Sequence, residues 1–336
     1  MRLSPIRTLP LRASLRVQGQ KNARSKANVE KLAADLSPWS SRLDVSLRDA
    51  TLEPNIHPYP GIGHQLSSWI AGFLWAQDLG IAYVGAPLLR DEKNLFKLPS
   101  GKAAERNHPP GRLVRLGAVG SERDPKSLQI LRGQIVRSVE SAKGHPLRFR
   151  LALDQGRWDQ TPAQGAIRAA LIQGSFGDRL SSIERSEAPY IALHIRRGDI
   201  AVGSEGGSSG HSRWTDEAWY VALVRQLRAH PALSNMEIRA YALGDEGQFK
   251  LLRHEGVRVH LNGSWEEDFI EMCGARVLVA APSSFSFSAG LGSSGVVLSQ
   301  HPWWHRVPDD GRWVQVDTHG RFDPTSLDRA VNSAGI

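Results

Sequence analysis

Three short segments carry side chains able to bind and polarise an anion. The first is Ile191-Ala-Leu-His-Ile-Arg-Arg-Gly-Asp-Ile200, an apolar run that opens directly into Arg196, Arg197, Gly198 and Asp199. An arginine fork makes permanent bidentate contacts to phosphate oxygens. Gly198 permits a sharp turn, and Asp199 can hold one guanidinium in place. Taken alone, the same residues also fit a surface turn closed by a salt bridge. The second segment, Val277-Leu-Val-Ala-Ala-Pro-Ser-Ser-Phe-Ser-Phe-Ser-Ala-Gly290, reads as a strand, a Pro282-Ser283-Ser284 turn and a helix starting near Phe285. A helix N-terminus fronted by hydroxyls combines unpaired N–H groups with serine donors and binds anions. A serine N-cap that serves only its own helix looks identical in sequence. The third segment is Gly61-Ile-Gly63-His64-Gln65, where glycines allow close backbone approach ahead of a helix. A lone Gly-x-Gly is a weak signal.

The elements that must position these segments follow from hydrophobic period. Apolar residues at Leu66, Trp69, Ile70, Phe73, Leu74 and Leu79 give a helix over Gln65–Leu79, stopped by Gly80, and Ile81–Val84 reads as a strand. Residues 85–185 mix turn-rich and helical pieces, and no strand can be placed there. From Pro189 the alternation is clear. Strands are expected at 190–195, 238–243, 257–261, 277–281 and 296–298, and helices at 215–229, 247–254, 266–273 and 285–291. Such alternation implies a parallel sheet of Rossmann type. A break near 181–189 suggests 1–50 as a basic, irregular arm carrying a short helical pattern around 28–36, 51–185 as an N-terminal lobe and 186–336 as a C-terminal lobe.

Length and composition bound the class. The chain has 336 residues, 40% hydrophobic and 23% charged, which is ordinary globular composition. A single cysteine, Cys273, excludes an internal disulfide. No apolar run approaches the ~20 residues that cross a bilayer. The net charge of +8 would suit a nucleic-acid binder. However, seven of the basic residues precede the first acidic one, Glu30, and setting them aside leaves 35 basic against 34 acidic residues. The excess belongs to an arm too short, and too poor in interleaved aromatics, for nucleic-acid binding. That arm lacks a signal-peptide core, and its Arg-rich, acid-free composition also fits a transit peptide. A solvated arm able to touch an anionic membrane surface is the simpler expectation, on a cytoplasmic protein.

Taken together and in order, the three segments resemble the fucosyltransferases that share a His-x-Arg-Arg-x-Asp motif, closest to the alpha-1,2 family and related to the alpha-1,6 and protein O-fucosyltransferases. The motif reads His194-Ile-Arg196-Arg197-Gly-Asp199 here. Gly61-Ile-Gly63-His64-Gln65 is similar to that family's opening loop, with His64 in place of the usual Asn. Asp268-Phe-Ile-Glu-Met272-Cys273, followed by a strand and Ser283-Ser284-Phe285-Ser286, is similar to its closing segments. Ser288-Ala289-Gly290 replaces bulkier positions, and Arg276 stands where alpha-1,6 relatives carry an acid. The similarity covers roughly residues 55–300.

The resemblance implies two Rossmann-like lobes of GT-B type, with a doubly wound parallel sheet in the C-terminal lobe. It implies inverting, metal-independent transfer of fucose from GDP-fucose to a glycan hydroxyl, with no cofactor. Arg196 and Ser284 would stabilise the leaving group, and Glu205 would be the base, with Asp199 as its alternative. His194, Arg197, Gly61, Gly63, His64, Gln65, Asp245, Ser283, Phe285 and Ser286 would bind the donor. Transfer to protein, transfer from another GDP-sugar, or nucleotide-sugar binding without catalysis are the alternatives. Trp214, Trp265, Trp303 and Trp304 are candidates to stack on sugar rings. His301-Pro-Trp-Trp-His305 reads as a loop rather than a metal site.

Overall fold

The computed structural model describes residues 50–99, 111–117, 123–151, 157–198 and 213–336. The described strands form two all-parallel sheets, one in each lobe. The first contains β1 (Ala50–Glu53), β2 (Ala82–Tyr83), β3 (Arg112–Leu116) and β4 (Leu147–Leu151), in the order β2-β1-β4-β3. Helices α1 (Ile62–Leu79) and α2 (Pro125–Ala142) pack on one of its faces. β4 shows why: Leu147, Phe149 and Leu151 are buried with Trp75, Leu79, Ile130 and Ile135, while the alternate Arg148 and Arg150 belong to the opposite face.

The second sheet contains β5 (Tyr190–Ile195), β6 (Glu237–Ala242), β7 (Arg258–Leu261), β8 (Val277–Ala280), β9 (Val296–Gln300) and β10 (Trp313–Val316). Their order is β10-β9-β8-β5-β6-β7, the doubly wound order of dinucleotide-binding sheets. One face is covered by α5 (Glu217–Ala229) and α9 (Pro324–Ser333). The other is covered by α7 (Trp265–Gly274) and α8 (Ser284–Gly292). The central strands β5 and β8 are buried on both sides, so they read as continuous apolar runs. The chain leaves β5 toward one face and β8 toward the other, which opens a crevice at their carboxyl ends.

Several elements differ from the sequence-based expectations. Ala50–Glu53 is an interior strand of the first sheet, and β3 and β4 lie in the stretch where no strand could be placed. The helix expected at 247–254 is a 3-10 turn over Glu246–Phe249 followed by α6 (Lys250–His254). Helices α3 (Gln164–Gln173) and α4 (Gly177–Glu184) precede the expected lobe break, yet they share a core with α7 and α8. The basic arm and the helix expected around 28–36 lie outside the described residues.

The lobes are joined by this same core. Ile62, Leu66, Trp69 and Ile70 of α1 pack with Phe269, Ile270, Phe287 and Leu278 of the second lobe, while Trp75 and Leu79 of α1 pack on the first sheet. One helix is thus built into both lobes.

Candidate functional site

β5 ends at Ile195 and delivers Arg196 to the crevice, while β8 ends at Ala280 and delivers the start of α8. Ser283 is the N-cap of α8; its hydroxyl accepts from the Phe285 N–H at 3.2 Å and from Arg196 Nη1 at 3.1 Å. The guanidinium is therefore fastened to the positive end of a helix, and both favour an anion. Ser284 lies in the first turn and lines the opening.

A second helix start meets the first. Gly61 caps α1 with extended backbone and no side-chain cap bond. A Cβ on Gly63 would collide with the Phe285 N and lie 2.5 Å from the Phe285 Cα and 2.7 Å from the Ser284 carbonyl carbon. Only glycine lets the two helix ends touch. The sequence points to close approach by a ligand here, but Gly63 is needed for close approach by α8. Gly61, Gly63, His64, His194, Arg196, Arg197, Ser283, Ser284 and Phe285 all line one cavity of about 740 Å³.

His194 is half-buried, with its ring 5.5 Å from that of Phe285. Burial and then the Arg196 charge push its pKa down to about 3, so it presents a neutral imidazole. Arg197 is only 4% exposed and is spent internally. It donates to the Arg196 carbonyl at 2.8 Å and the Thr215 carbonyl at 3.0 Å, and its guanidinium lies 3.9 Å over the Trp214 ring. Burial lowers its pKa. The second arginine of the motif thus ties residues 213–215 to Arg196.

Three other expected donor contacts do not line the cavity. Buried Gln65 donates to the carbonyls of His57 (3.0 Å) and Pro60 (3.3 Å) and accepts from the Arg90 N–H (3.2 Å). It shapes the loop before α1. Ser286 is buried and donates to the Ala281 carbonyl at 3.2 Å. Asp245 caps the 246–249 turn through a capping box. Asp199 and Glu205 lie outside the described residues. His301 is exposed, whereas His305 is buried and stacked 4.9 Å from Phe287. Among the described residues, no group of three or more His, Cys, Asp or Glu is placed to share a metal ion.

The cavity also holds Trp265 and Trp304, two of the tryptophans expected to stack on sugars, and Asp268, which opens one of the family-like segments. With them are Arg90, Glu92, Arg213, Tyr241 and Glu266, for which no site role was expected. Asp268 is the most informative. Burial, and then Glu267 and Glu271, raise its pKa from 3.8 to about 6. It packs on Gly263, where a Cβ would lie 2.8 Å from its Oδ1. Trp304, 46% exposed, sits at the rim with Arg213 4.9 Å from its ring centre.

No protein-family model matches the chain, and no curated protein matches it in sequence. In three dimensions it is similar to crystal structures of POFUT1. The complex with GDP is 12% identical, with 82% of this chain and 99% of that chain covered and a TM-score of 0.43. The complex with GDP-fucose is 10% identical, covering 75% and 96%, with a TM-score of 0.42. The apo form is 10% identical, covering 74% and 95%, with a TM-score of 0.43.

Proposed function

We propose that the chain is an inverting fucosyltransferase that takes fucose from GDP-fucose and passes it to a hydroxyl of a glycan acceptor. The observation that carries this reading is the bond from Arg196 to the Ser283 cap, at the crevice between β5 and β8. The crevice is where a doubly wound sheet receives a nucleotide. A diphosphate leaving an oxocarbenium-like sugar gathers charge on its β-phosphate, and a prefixed guanidinium and helix end stabilise that charge without reorganising.

Each side chain then has a stated role. Arg196 and Ser284 hold the β-phosphate, and the open first turn of α1 faces the same group. Asp268, as a carboxylate, accepts from the N–H groups on the edge of a guanine base, a pairing that uses its two oxygens. His194, held neutral, donates or accepts without adding charge. Glu205, a few residues beyond the Arg196 turn, is the proposed base that removes the acceptor proton as the glycosidic bond forms, and Asp199 is its alternative. Arg197 keeps Arg196 in position and touches no phosphate.

Calorimetric titration tests the donor site, using GDP-fucose with GDP-mannose and UDP-glucose as controls. Selective binding of GDP-fucose is expected, weakened by roughly ten- to a hundredfold in Arg196→Ala, since a bond to a charged group contributes ~1.5–3 kcal/mol. Folded wild-type protein that binds no nucleotide sugar overturns the reading.

A further inference from the structure

Between the buried anchors Leu88 and Leu95-Phe96 the first lobe carries four consecutive charged residues, Arg90-Asp91-Glu92-Lys93. A solvated surface turn is the default explanation of such a run. Here the turn is fixed and two of its charges are spent. Asp91 accepts from the Leu95 N–H at 2.6 Å and from the Phe96 N–H at 2.9 Å, which closes the turn. Lys93 Nζ lies 3.3 Å from Glu266 Oε1, at the start of α7 in the second lobe. Glu266 belongs to the wall of the cavity of about 740 Å³, and Arg90 and Glu92 line that same cavity from the first lobe.

Arg90 is fastened along its length. Its backbone N–H donates to Gln65 Oε1 at 3.2 Å, its Nε to the Pro58 carbonyl at 3.4 Å and its Nη2 to the Tyr59 carbonyl at 2.9 Å. All three acceptors belong to α1 or to the loop before it. Neutral carbonyls fix the direction of the guanidinium without compensating its charge. Nη1 bonds to no described group, and no described carboxylate, Glu92 included, pairs with Arg90. Among the described residues of the first lobe, Arg90 is the only lysine or arginine lining this cavity. A permanently charged fork, held in place and lacking a carboxylate, is suited to phosphate oxygens.

We infer that Arg90 is a second phosphate-binding residue of this site, contacting the diphosphate of the nucleotide sugar from the first lobe while Arg196 contacts it from the second. The charge count supports a second arginine. A diphosphate joined to a nucleoside and a sugar carries one negative charge on each phosphate, and one guanidinium matches only one of them. The remaining arginines of the cavity are engaged elsewhere. Arg197 is spent on two carbonyls and the Trp214 ring, and Arg213 lies over Trp304 at the rim. On the nucleotide-sugar reading, on which this assignment rests, the donor bridges the two lobes. Because α1 is built into both lobes and Arg90 is tied to its start, the two guanidinium groups are set in place before the ligand arrives.

The test is calorimetric titration of the full chain with GDP, in wild type, Arg90→Gln and Arg90→Lys, at low and high ionic strength. GDP affinity is expected to fall about tenfold in Arg90→Gln, the loss of one charge-assisted bond. Arg90→Lys keeps the charge without the fork that braces Pro58 and Tyr59, and it is expected to regain part of that loss. Affinity should also decline less with added salt in Arg90→Gln than in wild type, because a screened attraction has been removed. Differential scanning fluorimetry verifies that each variant is folded. Undiminished GDP binding in folded Arg90→Gln overturns the inference. So does lysine no better than glutamine, or a salt dependence equal to that of wild type, either of which marks a brace for the loop rather than a contact to phosphate. Titration with inorganic pyrophosphate separates the two proposals. GDP bound equally by wild type and Arg90→Gln defeats only the Arg90 assignment. Pyrophosphate binding that weakens in Arg90→Gln, with no binding of any nucleotide or nucleotide sugar, defeats the transferase reading and keeps the diphosphate contact. Wild type that binds neither GDP nor pyrophosphate defeats both.

Discussion

Replacing Gly63 by alanine sets helix propensity directly against packing. Propensity alone favours alanine over glycine within a helix by ~0.5–1 kcal/mol. The structure argues the other way. The added Cβ would sit 2.5 Å from the Phe285 Cα, whereas nonbonded carbons rest at ~3.5–4.0 Å. Both obstructing groups are backbone, so relief requires about an ångström of separation between the starts of α1 and α8. Overpacking of this kind costs ~1–3 kcal/mol, which outweighs the propensity gain. The expected result is a melting temperature lower by roughly 2–8 °C. Nucleotide affinity should fall as well, because the displaced helix end is the one that Arg196 grips through Ser283 at 3.1 Å.

The matched control is Gly61→Ala. Gly61 has φ −62° and ψ 165°, and nothing lies within 4 Å of its Cβ position. It should lose only the modest preference for glycine over alanine at an N-cap. Differential scanning fluorimetry and GDP titration on both variants measure the contrast. If Gly63→Ala melts at or above wild type and binds nucleotide unchanged, the two helix ends do not form one rigid anion site.

Asp268→Asn tests the carboxyl whose pKa rises to about 6. A folded-state value above the unfolded ~3.9 means that the charged form costs stability above pH 6, and that this cost fades as pH falls toward 4. The nominal two-unit shift is ~3 kcal/mol, reduced by solvent screening to ~1–1.5 kcal/mol. The variant should melt higher than wild type at pH 7.5, match it near pH 4, and bind GDP more weakly at pH 7.5. Wild-type GDP affinity should fall as pH drops through 6, and a flat profile from pH 7.5 to 5 argues against a carboxylate contact. Arg197→Leu should leave the Thr215 and Arg196 carbonyls without their donor and destabilise by ~1–3 kcal/mol. Arg197→Lys should recover stability only in part, and full recovery by lysine would show that charge alone matters. Cys273 is fully buried, its thiol donates to the Ala289 carbonyl at 3.4 Å, and burial raises its pKa. Thiol reagents should label it only as fast as the protein unfolds, and rapid labelling at neutral pH would refute the packing of α7 on α8.

The second sheet was legible because its central strands are buried on both faces. β5 and β8 are short apolar runs ending at Arg196 and at Pro282-Ser283, so the sequence shows where each strand stops and what it presents. The first sheet was not, because Arg-Leu-Val-Arg-Leu116 and Leu-Arg-Phe-Arg-Leu151 each bury only part of their side chains, and their arginines mask the alternation. Within the site, residue type misled where burial decides its use. Arg197, Gln65 and Ser286 are chemically able to hold a nucleotide, but each spends its donors on backbone carbonyls. Asp268 stands in a family-like segment, but its place in the cavity was hidden for the opposite reason. It lies in Trp265-Glu-Glu-Asp-Phe-Ile-Glu271, where neighbouring acids suggest a solvated helix face. Only the fold shows that it faces the cavity while Glu267 is exposed.

The way α1 is built explains why a site made from distant segments can be rigid. Its first half packs in the core shared with α7 and α8, and its second half packs on the first sheet. The loop before it is held by Gln65 and Arg90, the latter donating to the Tyr59 carbonyl at 2.9 Å. The start of α1 therefore cannot swing away from α8 without opening a core that includes Leu66, Trp69 and Ile70. Each helix end presents roughly half a positive charge, and with Arg196 the total approaches two units. On the proposed transferase reading that is the scale of charge a departing diphosphate needs. Because the geometry is held by apolar burial rather than by the ligand, the stabilisation would be in place as the glycosidic bond breaks.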